Sequence, residues 1–212
     1  MDLSWVETRL MRRLTIAELR ISDYLQRTST PPSNGRELHE LEGWLSELWQ
    51  VWGRFCRRVV VESCIGCVSS SGIVVPSSHA TEAHVSYVAS KQKRGAPPPI
   101  LGTNALLRIE PTWGHIDKLL EVIQALAPHN SGSLLAAFGT VPEIEHIRLI
   151  RNAAAHLHSQ NFSDVVAFQA NYVGTSIKHP LHALLWLDPS TGRTLAQARI
   201  EDMRIAARNA CR

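Results

Sequence analysis

Leu38, Leu41, Leu45, Leu48, Trp52, Phe55 and Val59 recur at alternating steps of three and four residues. That spacing lays apolar side chains along one side of an α-helix, predicted here at about 36–62. Trp44 and Trp49 widen the apolar face, which suits a helix buried in a bundle better than the seam of a coiled coil. A stripe this long needs a partner. Leu3, Val6, Leu10, Leu14, Ala17, Ile21 and Leu25 carry the same periodicity and predict a first helix over about 3–27. It stops at Ser29-Thr30-Pro31-Pro32-Ser33-Asn34-Gly35, where proline disfavours helical backbone in the residue before it and glycine tolerates a turn.

The character changes between about 63 and 111. Gly72-Ile73-Val74-Val75 and His84-Val85-Ser86-Tyr87-Val88 are short runs of β-formers separated by Ser, Gly and Pro clusters, and they predict a small β-containing insertion. Its tip, Lys91-Gln92-Lys93-Arg94-Gly95-Ala96-Pro97-Pro98-Pro99, reads as a solvated loop more readily than as an arm contacting phosphates. Helical spacing returns at Trp113, Ile116, Leu120, Ile123 and Ala127, with Thr112 placed to cap. A short apolar piece, Leu134 to Phe138, precedes a fourth helix from Glu143 to about His158, whose first-turn acids suit the positive end of the helix dipole. Asn161-Phe162-Ser163-Asp164 opens a fifth helix ending near Gly174. After His182–Leu187 and the turn residues Asp188–Gly192, Arg193–Ile200 reads as the return strand of a C-terminal β-hairpin before a short helix from Glu201. A single helix over 194–210 is the competing reading. The fold class expected is therefore mainly α: one domain over 1–212, a helical bundle with the insertion at about 63–111.

With 22 basic and 19 acidic residues the net charge is +3, which permits a polyanionic partner without requiring one. No run approaches the ~20 apolar residues that span a bilayer, and the charged first residues lack the apolar stretch of a signal peptide. A soluble cytoplasmic protein with no membrane partner is expected. The four cysteines are too few and too uneven for a disulfide scaffold. Cys64-Ile65-Gly66-Cys67 has the spacing of half a zinc knuckle, which only scattered histidines such as His79 and His84 are available to complete. Buried or surface thiols are the simpler reading. No phosphate-binding glycine loop, nucleophile elbow or HExxH motif is present, which argues against a nucleotide hydrolase, an α/β-hydrolase and a metalloprotease.

The fourth helix holds the sharpest local feature, Ile147-Arg148-Leu149-Ile150-Arg151-Asn152-Ala153-Ala154-Ala155-His156-Leu157-His158. Ile147, Ile150, Ala154 and Leu157 form a core stripe on a helical projection. Glu145, Arg148, Asn152 and His156 make a polar row on another side. His158 projects away from that row and reads as a bystander. On their own, a histidine near a helix C-terminus, and Arg151 paired with Glu145 or another surface acid, read as ordinary surface electrostatics.

Arg151-Asn152-Ala153-Ala154-Ala155-His156 resembles the signature of HEPN domains, an arginine and a small polar residue followed by histidine after four to six intervening residues on a late helix of an all-α bundle. The resemblance implies a metal-independent endoribonuclease, used in toxin–antitoxin or phage-defence settings and working as a homodimer, with two motif copies facing each other. It implies catalytic roles for Arg151 and His156, with Asn152 orienting them; Glu145 and Arg148, on the same side of the helix, are expected to support them. RNA is the implied substrate, an antitoxin or other defence protein an implied partner, and no cofactor or metal is implied. A catalytically inactive nucleotide- or protein-binding subunit is the alternative. The chemistry is coherent: RNA cleavage without metal needs a base for the 2′-hydroxyl proton, an acid for the leaving 5′-oxygen and a cation for phosphorane charge. One imidazole cannot do both proton transfers in one step, and a twofold dimer supplies a second.

Overall fold

The computed structural model describes residues 1–28, 31–32, 34–95, 97–156 and 158–212. Ser29, Thr30 and Ser33 of the predicted breaker, Ala96 of the loop tip and Leu157 of the predicted core stripe lie outside the described residues. The chain is mainly α-helical, with one small two-stranded antiparallel sheet near 67–75. Helices α1 (Leu3–Arg27) and α2 (Gly35–Ile65) form where the apolar periodicity predicts them. Strands β1 (Cys67–Val68) and β2 (Val74–Val75) pair with Cys67 opposite Val75 and Val68 opposite Val74. Then come α3 (Glu82–Ser90), the single turn α4 (Leu106–Ile109), α5 (Ile116–Leu126), α6 (Ser131–Gly139), α7 (Glu145–Ala155), α8 (Ser159–Ala167) and α9 (Leu195–Cys211). Short 3-10 turns occupy Pro142–Ile144, Gln169–Asn171 and Pro180–Leu185.

The chain divides into two compact units, Met1–Leu10 with Trp52–Pro142 and Ile205–Arg212, and Met11–Val51 with Glu143–Arg204. The first unit is centred on Trp52, fully buried, stacked on Phe55 at 5.6 Å and edge-on to Phe138 at 5.9 Å. The indole N–H is not orphaned; it donates to the Gly114 carbonyl at 3.2 Å, which removes the desolvation penalty of a buried donor. Nearby, Arg57 grips Glu110 with two hydrogen bonds, Nε to Oε2 at 2.7 Å and Nη2 to Oε1 at 2.9 Å, ties Glu82 at 2.8 Å, and shares Glu110 with Ser86 and Trp113. The second unit buries Leu14 and Ile21 of α1, Leu41, Leu45 and Leu48 of α2, Ile147 and Ile150 of α7, and Ile200 and Met203 of α9.

Two β readings are corrected. His84–Val88 is not a strand but part of α3, because the Thr81 hydroxyl accepts the His84 N–H as an N-cap and Val85 and Ala89, one turn apart, are both fully buried. Burial along a helical face outweighs the β preference of a few residues. The C-terminal β-hairpin is likewise absent: Arg193–Ile200 does not return as a strand, and the single-helix reading matches α9. Thr194 and Gln197 cap α9 reciprocally, Thr194 N–H to the Gln197 side chain and Gln197 N–H to the Thr194 hydroxyl. Only isolated bridges of Leu187 to Val173 and Thr194 remain of the hairpin. The piece Leu134–Phe138 belongs to the longer α6, and α5 starts at Ile116 with His115 at its N-cap, where no side chain caps.

Candidate functional site

The site is built on α7. Its buried stripe is Ile147, Ile150 and Ala153; Ala154, assigned to the core from the sequence, is only half-buried. On the remaining surface Glu145 and Arg148 form an ion pair within the first turn, so the two residues predicted to support the site satisfy each other. Arg151 lies half-buried in the last turn, and its Nη1 donates to the Asn152 side-chain oxygen at 3.2 Å. That contact restrains the guanidinium from its own neighbour.

His156 is not on the helix. The three alanines before it favour helix, yet α7 ends at Ala155, and His156 takes φ −133° and ψ 88°. Its N–H still donates to the Asn152 carbonyl at 2.9 Å, but its own carbonyl is taken by the His158 N–H at 2.6 Å and the Asn161 side chain at 3.1 Å. Those bonds satisfy a carbonyl that a helix end would leave bare, and they release the chain into α8. The polar row predicted on a continuous helix is therefore broken at its last member. The His156 side chain is exposed. The His158 ring accepts the Gln160 N–H as the N-cap of α8.

One residue of α7 goes unremarked in the motif. His146 lies flat on Phe168, centroids 4.1 Å apart with planes 13° from parallel, and its Nδ1 meets the Tyr172 hydroxyl at 2.7 Å. Trp186 stacks on Tyr172 at 6.1 Å and meets Phe168 edge-on at 5.8 Å. Burial, helped by the nearby Arg199 charge, holds the His146 imidazole down at about 4, and burial pushes the Tyr172 phenol up to about 12. Both are neutral at neutral pH. The signal was present: His146, Ile150 and Ala153 step by four and three, the spacing of a core-facing stripe. Arg199, almost fully buried, sits between Asp188 at 3.1 Å and Asp202 at 2.9 Å. Arg199 and Asp188 are buried, while His146, Tyr172 and Asp202 are half-buried.

Among the described residues no group of three or more His, Cys, Asp or Glu side chains is placed to hold a metal ion. Cys56, Cys64, Cys67 and Cys211 are free, buried thiols, and burial pushes Cys64 and Cys211 up to about 12. His79 and His84 pack on each other at 5.2 Å, and the thiols of the half knuckle find no ligand partners in them. No helix among the described residues is long and apolar enough to cross a membrane. No family model, no curated protein and no solved structure matches the chain.

Proposed function

We propose that the chain is a metal-independent endoribonuclease of the HEPN type, a cytosolic homodimer that serves as a toxin or phage-defence effector. The observation that carries this reading is local: Arg151, restrained by Asn152, and an exposed His156 occupy the end of α7 and the residue after it. A guanidinium with paired donors suits phosphate oxygens, and an imidazole open to solvent is free to exchange a proton with substrate. A second copy supplies the other imidazole. One His156 then takes the 2′-hydroxyl proton while the 2′-oxygen attacks phosphorus. The P–O5′ bond breaks, and the opposite imidazolium returns a proton to the 5′-oxygen. The products are a 2′,3′-cyclic phosphate and a 5′-hydroxyl, and no water is consumed. Arg151 balances the charge that gathers on the phosphorane.

The test is purified protein with total RNA and EDTA, beside His156→Ala and Arg151→Ala confirmed as folded by circular dichroism. The reading expects chelator-resistant cleavage that falls by roughly a hundredfold or more in each variant, with cyclic-phosphate ends on the products. Equal cleavage by all three proteins would refute it. RNA binding without cleavage would favour an inactive, regulatory HEPN-like subunit.

A further inference from the structure

The segment 91–109 of the first unit carries Lys91, Lys93, Arg94 and Arg108 and no acidic residue. Lys93, Arg94 and Arg108 are exposed and form no ion pair among the described residues, while the Lys91 ammonium lies over the Tyr87 ring at 4.2 Å. Within this basic stretch Ile100, Leu101 and Leu107 are 71%, 55% and 62% exposed. They are not presented by a random coil. The Thr103 hydroxyl donates to the Ile100 carbonyl at 3.0 Å, the Leu106 N–H donates to the Thr103 carbonyl at 3.2 Å, and Gly102 takes φ 83°, a value side-chain-bearing residues avoid. Leu106, almost fully buried, anchors the turn. The result is a hydrogen-bonded turn with an Ile-Leu pair held out to water, flanked on both sides in sequence by cations, of which Arg94 also acts on the Glu121 carboxylate.

We infer that this turn docks on an anionic phospholipid surface, its aliphatic side chains entering the headgroup boundary and its cations meeting lipid phosphates and carboxylates. The charge is complementary to such a surface, and aliphatic residues gain from lipid what they do not gain from a nucleic-acid backbone. Surface attachment of this kind needs no spanning helix. It is separate from the nuclease reading and stands or falls without it.

Flotation of the purified protein with phosphatidylcholine vesicles, with and without phosphatidylserine, tests the inference. The protein should float with the serine-containing vesicles and not with pure phosphatidylcholine, and high salt should release it. Each cation removed should weaken partitioning about fivefold, so Lys91→Glu with Lys93→Glu and Arg94→Glu should abolish flotation. Ile100→Ser with Leu101→Ser, which leaves every charge in place, should weaken it as clearly. Failure of the wild-type protein to float with phosphatidylserine vesicles would overturn the inference. So would wild-type flotation by the Ile100→Ser and Leu101→Ser variant. So too would polyuridylate binding that the charge variant loses and the apolar variant keeps, which would mark the segment as a nucleic-acid contact.

Discussion

Replacing Glu110 with alanine tests how the first unit is held. The carboxylate accepts four hydrogen bonds, two from Arg57, one from Ser86 at 2.5 Å and one from the Trp113 indole at 2.8 Å, with its side chain only 7% exposed. Removing it leaves Arg57, 22% exposed, with Glu82 as its remaining ion-pair partner, and strips the acceptor from a tryptophan N–H. Breaking one side of a buried, hydrogen-bonded pair costs about 3–5 kcal/mol, whereas an exposed pair contributes about 1 kcal/mol or less. At about 2–4 °C per kcal/mol for a chain of this size, Glu110→Ala should lower Tm by about 10 °C in a circular-dichroism melt. The double variant Arg57→Met, Glu110→Leu should recover most of the loss, because paired removal leaves no lone charge. The pH arm has a definite sign. Burial raises the Glu110 carboxyl, but the bonds from Arg57, Ser86 and Trp113 outweigh it and hold it below its ordinary 4.5. Its contribution is complete above that value and is lost as pH falls below it, so Glu110→Gln should flatten the acid limb. A single variant costing under about 1 kcal/mol in urea unfolding would refute the reasoning, since the network would then be no better than a surface pair.

His146 should make stability fall with acid in a higher window. With the folded value near 4 against an ordinary 6.5, the unfolded chain takes the proton first. Stability is full above about 6.5 and declines toward 4; His146→Phe should flatten this limb in urea titrations at a series of pH values, and identical slopes would sink the assignment. A Cβ at Gly174 would clash with the Trp186 indole, so Gly174→Ala should cost about 1–3 kcal/mol through overpacking and alter near-ultraviolet dichroism. An unchanged melt would show that Trp186 repacks freely. The four buried thiols should resist Ellman's reagent until denaturant is added, and chelators should leave Tm unchanged; rapid labelling of any thiol in native protein would contradict their burial.

How much of this was legible depended on which force set each element. The long helices α1 and α2 are written in periodic apolar residues because each packs along its length, so pattern and structure coincide. α3 was hidden because Val85 and Tyr87 favour strands intrinsically, and only the Thr81 cap and the burial of Val85 with Ala89 decide otherwise. α9 was visible in the Thr194–Gln197 capping pair, yet the turn at Asp188–Gly192 competed for the same residues and suggested a hairpin. At the candidate site the chain order of Arg151, Asn152 and His156 was readable. The pairing of Glu145 with Arg148 follows from their three-residue spacing. The aromatic enclosure of His146 joins residues 146, 168, 172 and 186, a meeting that no local pattern encodes.

The break after Ala155 mounts the imidazole on backbone that is no longer helical. The His156 carbonyl is held from two sides, by the His158 N–H and the Asn161 amide, so on the proposed ribonuclease reading the approach of the ring to RNA depends on both. On that reading, turnover would be tuned in part from Asn161, a position with no acid–base chemistry of its own. If the proposed reaction holds, a change there would alter how His156 is presented to RNA while leaving the reacting groups intact.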